Sequence, residues 1–173
     1  IDATLALVEK EPLDANTIEK IDVHIGKVQD DMVRYRQPKT GLQGKFSFEF
    51  TVASSIIAQR VGLRELNDDF VNQDDIQNII NRVERVVTDK YDPKMENYPR
   101  HDFIDVFMKD GSKVESEKVA RPKGHAENPI KTEELWHKFD DCLSNAFPAE
   151  QRQALFDKLQ NIENLKSTST LYQ

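Results

Sequence analysis

The stretch from Gln37 to Ala53, QPKTGLQGKFSFEFTVA, constrains the fold of this chain more than any other. It begins as a loop and ends as a helix. Pro38 removes a backbone donor, and Gly41 and Gly44 open backbone angles closed to other residues, so the first half reads as a shaped loop. From Lys45 onward the apolar residues recur at helical spacing, with Phe46, Phe50, Ala53 and Ile57 on one stripe and Val52, Ile56 and Val61 beside it. That spacing predicts a helix from Lys45 to about Gln59, closed by Gly62. The first N–H groups of a helix are unpaired, so a glycine-containing loop feeding a helix start can hold an anion, and Lys45 adds a positive charge there. The same pattern also describes a loop that merely starts a buried helix. It is not a complete nucleotide fingerprint, since it lacks the Gly-Lys-Ser/Thr ending of a P-loop and the G-x-G-x-x-G spacing.

Before this stretch, Ile1 to Glu9 reads as the end of a helix with Ile1, Leu5 and Val8 on one stripe. The chain opens on that helix with neither Met nor cap, so a piece of a longer protein is expected. Alternation of Ile21, Val23 and Ile25 with Asp22 and His24 predicts a half-buried strand to about Val28, with His24 facing solvent. Asp30 to Arg36 reads as irregular.

After it, a helix is expected from Asn72 or Asp74, with Ile76, Ile79, Ile80 and Val83 facing inward, followed by a short strand through Val86 and Val87. Asp89 to Pro99 reads as a loop, with His101 a loop histidine beyond it. Asp102–Lys109 and Lys113–Ala120 read as a hairpin about a two-residue Asp110-Gly111 turn. His125 lies in an aperiodic run between Gly124 and Pro129. The backbone there sets its place, which makes it a candidate site residue; a structural histidine bonded to nearby carbonyls is the alternative. Thr132 is the expected cap of a helix with Leu135, Phe139, Cys142, Leu143 and Ala146 on its stripe. A second helix follows with Ala154, Leu155, Leu159 and Ile162, and the tail from Lys166 to Gln173 is expected to fray. This order of elements predicts an α+β fold, a small antiparallel sheet covered by helices on one face and followed by C-terminal helices.

A chain of 173 residues can bury one sizeable core. Its 24 basic residues are outnumbered by 31 acidic ones, a net charge of −7 that argues against a nucleic-acid partner. No apolar run approaches a membrane span and no signal-peptide pattern opens the chain, so no membrane partner is expected. The single cysteine, Cys142, excludes an intrachain disulfide framework and a zinc cluster. A cytoplasmic or mitochondrial-matrix setting fits this composition.

Three motifs in order carry a resemblance. Lys39 to Ser47, KTGLQGKFS, resembles a signature of the MmgE/PrpD family, which includes 2-methylcitrate dehydratase, cis-aconitate decarboxylase and iminodisuccinate epimerase. Ile1-Asp2-Ala3 looks like the stretch that follows a histidine-containing segment in that family. Gly124-His125-x-Glu127-Asn128-Pro129, with Glu133-Glu134-Leu135 and Phe139, looks like its C-terminal signature. The resemblance covers nearly the whole chain. It implies an α+β lid domain over residues 1–130 and C-terminal helices over 131–173. Those helices would pack on a helical domain outside this chain, with the active site between the two domains, in a homodimer.

The resemblance further implies acid–base chemistry on di- and tricarboxylates without metal or other cofactor, of the 2-methylcitrate dehydratase kind. An epimerase, a decarboxylase or a non-catalytic association fragment is the alternative. Most catalytic groups would lie in the helical domain, and the lid histidine just before Ile1. The candidates left here are Lys45, Ser47, position 50 and His125, with Lys45 either pairing a substrate carboxylate or standing as a solvated first-turn lysine. Many members have tyrosine at position 50; this chain has Phe50, with no hydroxyl to donate, and plain core is its alternative reading. The chain alone is therefore expected to be inactive, and Leu155, Leu159 and Ile162 would be exposed in a lone monomer.

Overall fold

The computed structural model describes residues 1–172 and, apart from Glu96, Asn97 and Tyr172, their side chains. The described residues divide into two units, Ile1–Asn128 and a second from Pro129 onward. In the first, the order is α1 (Asp2–Lys10), β1 (Ile18–Gly26), α2 (Lys27–Met32), α3 (Gly41–Gly44), α4 (Phe48–Ile57), α5 (Asp68–Val71), α6 (Asp74–Ile80), β2 (Val83–Thr88), β3 (Tyr91–Asp92), β4 (Met95–Pro99), β5 (Phe103–Met108) and β6 (Lys113–Glu115).

The alternation read in β1 sets one face of the sheet toward the core. Ile21, Val23 and Ile25 join Ile104 and Val106 of β5 beneath Leu7 and Val8 of α1, Phe50, Val52 and Ala53 of α4, and Ile76, Ile79 and Ile80 of α6. Each of these side chains larger than alanine contributes roughly 1.5–3 kcal/mol on burial. The main sheet runs β2-β1-β5-β6, with β5 antiparallel to both β1 and β6. The α+β class holds, with one pair outside an all-antiparallel sheet: β2 lies parallel to β1, with Val23 opposite Arg85. The link between these strands carries α2 to α6, the long helical crossover that a parallel pair needs.

Several boundaries differ from the sequence expectation for local reasons. α4 starts at Phe48, not Lys45, because the Ser47 hydroxyl caps it, accepting from the Phe50 N–H at 3.1 Å; Phe46 drops out of the stripe and is exposed. Its last turn is followed by Gln59 at φ +52°, so glutamine takes the left-handed place expected of Gly62. α2 replaces an irregular segment, its start fixed by the Gly26 N–H donating to Gln29 Oε1 at 2.7 Å. β3 and β4 form a small antiparallel pair where a loop was expected. The β5–β6 hairpin is present, but its turn is longer than two residues. Met108 N–H reaches Ser112 O at 2.9 Å, and Gly111 adopts φ +86°, a three-residue loop with a left-handed third residue.

The second unit contains α7 (Thr132–Leu143) and α8 (Ala149–Gln160) with 3-10 turns at Ile162–Asn164 and Thr168–Tyr172. Lys131, not Thr132, takes the cap position of α7, and its N–H donates to Glu134 Oε2 at 3.2 Å. The anchor of the pair is Phe156, with ring centroids 5.2 Å from both Trp136 and Phe139. Leu155 and Leu159 are half-buried and Ile162 is exposed. A 3-10 turn ending at Tyr172 occupies the tail expected to fray; Gln173 lies outside the described residues. No helix among the described residues is long and apolar enough to cross a membrane.

Candidate functional site

The signature stretch is held from within. Thr40 caps α3 by accepting from the Gln43 N–H at 3.2 Å, and the Asp68 carboxylate accepts from the Gly41 N–H at 2.8 Å. Gln43 Oε1 takes the Lys39 N–H at 2.7 Å. These three donors are thus occupied by oxygens of the chain itself, one of them a carboxylate. At the start of α4 the Ser47 hydroxyl also donates to Glu49 Oε2 at 3.1 Å.

Glu49 is buried and meets Arg85 as a fork. Nε lies 2.7 Å from Oε1 and Nη2 2.7 Å from Oε2. Arg85 also reaches Asp30 Oδ1 at 3.0 Å and the Val33 carbonyl, and its guanidinium stacks 5.1 Å from the Phe48 ring. Burial works against the arginine charge, but Glu49 and Asp30 outweigh it and hold the group above its ordinary pKa. This buried network ties β2 to the segment after α2 and to the first turn of α4.

The sequence candidates do not converge. Lys45 is exposed, its ammonium 5.8 Å from the Phe46 ring centroid. Ser47 is buried as a cap. Phe50 is fully buried, edge-on to Phe70 at 6.2 Å, and belongs to the core. His125 is half-buried in a tight turn. Its Nδ1 accepts from the Glu127 N–H at 3.0 Å, while Arg121 pairs with Glu127 at 2.9 Å and Asp92 at 2.7 Å. Among the described residues no hydrogen bond or ion pair links the side chains of Lys45, Ser47 and His125. Nor do three His, Cys, Asp or Glu side chains gather there as metal ligands.

A second site lies on the sheet face turned away from the core. A cavity of about 560 Å³ is lined by His24, Thr88, Lys90, Tyr91, Arg100, His101, Phe103 and Lys118. These come from the ends of β1 and β2, the links flanking the β3–β4 pair, the start of β5 and the segment after β6. His24 stacks flat on Phe103, centroids 4.0 Å apart and planes within 4°, and its Nε2 lies 3.1 Å from Asp105 Oδ2. Burial works to raise the Asp105 pKa, but Lys113 at 2.9 Å and His24 outweigh it and hold the carboxyl below the usual range. Beside His101, burial raises the Asp102 pKa against a 2.9 Å hydrogen bond from Gln29. Sequence reasoning treated His24 and His101 as unremarkable surface residues. The signal that finds them is register: His24 pairs with Phe103, one residue from Asp102 and two from Asp105.

The family model of the MmgE/PrpD C-terminal domain matches residues 1–162. The chain belongs to the MmgE/PrpD family. No curated protein matches it. The match takes in the signature stretch, the cavity and the helical pair α7–α8. In this MmgE/PrpD domain, position 50 is a core phenylalanine and the serine of the KFS run is a helix cap.

Proposed function

We propose that this MmgE/PrpD domain is the lid part of a lyase that acts on a di- or tricarboxylate by acid–base chemistry, in the manner of 2-methylcitrate dehydratase, and that it turns over nothing alone. The observation supporting this is the scatter of its own reactive groups. Elimination of water needs a base at an acidified C–H, a proton donor for the leaving hydroxide and cations for the carboxylates, all held together. Here the Ser47 hydroxyl serves as a cap, Phe50 has no proton to give, and Lys45 and His125 sit in separate surroundings. Lys45 is left as a carboxylate partner and His125 as a positioned imidazole. The base and donor then come from a helical domain, against which residues 131–173 pack in the assembled dimer. Phe50 also keeps epimerisation or decarboxylation as the second reading, because dehydration must protonate a leaving hydroxide and position 50 cannot do so.

The test is an assay of the protein with 2-methylcitrate and with cis-aconitate, with products followed by chromatography, in the presence and absence of a co-expressed helical domain of the family. Product only with the helical domain is expected. Product from residues 1–173 alone overturns the division of labour, and no product from either substrate in the joined protein overturns the substrate class.

A further inference from the structure

The cavity on the open sheet face gathers positive charge that the chain neutralises only in part. Its lining holds one guanidinium, two ammonium groups and two imidazoles, and no carboxylate. This occurs in a chain whose net charge is −7. Lys90 and Arg100 have no ion-pair partner among the described residues, although their backbones are joined by the Arg100 N–H donating to Lys90 O at 3.1 Å. Lys118 has Glu115 only at 3.7 Å, and its ammonium rests 5.0 Å from the Phe103 ring. Like charges lining one cavity repel, and an outside anion relieves that repulsion. The volume of about 560 Å³ lies in the roughly 300–1,000 Å³ range of small-molecule sites.

We propose that this cavity binds a small polyanion carrying two or more carboxylate or phosphate groups. Arg100 supplies a planar fork suited to two oxygens of one group, and Lys90 and Lys118 supply point charges for a second. Thr88 adds a hydroxyl donor and His101 a second imidazole, and the stacked His24–Phe103 pair forms a flat wall. Asp105 fixes the His24 ring from behind, so that wall is preorganised. Four separate segments of chain contribute to the cavity, and its ligand ties them together.

The experiment is calorimetric titration of the protein with citrate and, separately, with pyrophosphate at constant ionic strength. Citrate alone binding assigns a carboxylate site, pyrophosphate alone a phosphate site, and both together a site read by charge number; each supports the proposal. The double variant Arg100→Glu/Lys118→Glu is expected to weaken binding at least tenfold. Lys109→Glu, an exposed lysine in the β5–β6 turn with the same charge reversal, is expected to change it less than twofold. A thermal melt checks that the double variant is folded. If it is not, Lys90→Gln alone is expected to weaken binding about threefold, with the imidazole resonances of His24 and His101 shifting in the wild type on titration. Equal weakening per reversed charge at Lys109 and in the double variant, or no binding of either anion by the wild type, overturns the proposal. No turnover is measured, so either outcome leaves the lyase reading to its own test.

Discussion

Along β1, Ile21, Val23 and Ile25 turn toward α1, α4 and α6, while Asp22 and His24 on the same strand turn the other way. The covered face is apolar and closed, with one exception. Arg85, in register with Val23, is buried there and fully matched by Glu49 and Asp30. The open face is a lattice of ions and aromatic rings, half-exposed except for the buried Asp105: Lys20 between Asp22 and Glu84, Lys113 between Asp105 and Glu115, and His24 flat on Phe103. The difference separates two tasks that one sheet performs. Charge on the closed face is tolerated only when every donor is met, and it fixes the backbone. Charge on the open face is partly screened by water, so it adds little to stability and is free to meet a ligand.

Three measurements would break or sharpen that contrast. The largest effect is expected from Arg85→Ala, which strands Glu49 in the core. A loss of about 3–5 kcal/mol in urea unfolding is expected for a broken buried pair, and a loss below 1 kcal/mol would show that water reaches this network. Next is Ile21→Ala on the same face, expected to cost about 2–5 kcal/mol by transfer and cavity terms, with no effect on citrate or pyrophosphate binding. The smallest effect belongs to the open face and concerns pH. Asp105 is held below its ordinary pKa, so its contribution is present above the unfolded carboxyl value of about 4 and fades as pH falls through the folded value. Comparing melts at neutral and acidic pH, Asp105→Asn is expected to remove less than about 1 kcal/mol of the acid dependence. A larger share would mean that the open face is as dry as the closed one.

The sequence was most legible where one face is buried. The alternation of β1, the inward isoleucines of α6 and the Asp110-Gly111 hairpin all follow from local pattern, because burial on one side imposes a period. It was less legible where tertiary pairing decides. β2 joins the sheet in parallel through a crossover that no local signal marks, and β3 and β4 pair despite Pro93 between them and Pro99 at the end of β4. In α4 the cap at Ser47 outranked the apolar period that began at Phe46. Phe156 was overlooked because the α8 stripe was traced through leucines, while packing depends on an aromatic between them. The cavity was hidden for the same reason as the parallel strand: His24, Lys90, Arg100 and Lys118 meet only once β1 and β5 are in register.

Gly41 sits where no side chain fits, since a β-carbon there would lie 2.3 Å from the Leu66 carbonyl oxygen. Nearby, Asn72 Nδ2 holds the Lys39 carbonyl at 2.8 Å and the Lys39 ammonium holds Gln77 at 2.8 Å. Backbone is pressed on backbone there and bolted on either side. On the nanosecond-to-microsecond scale of ordinary loop motion, the signature stretch has no independent swing. It travels with α5 and α6 as one block, and its amide protons should exchange only when that block opens. A displacement of this stretch is then a displacement of the block as a whole.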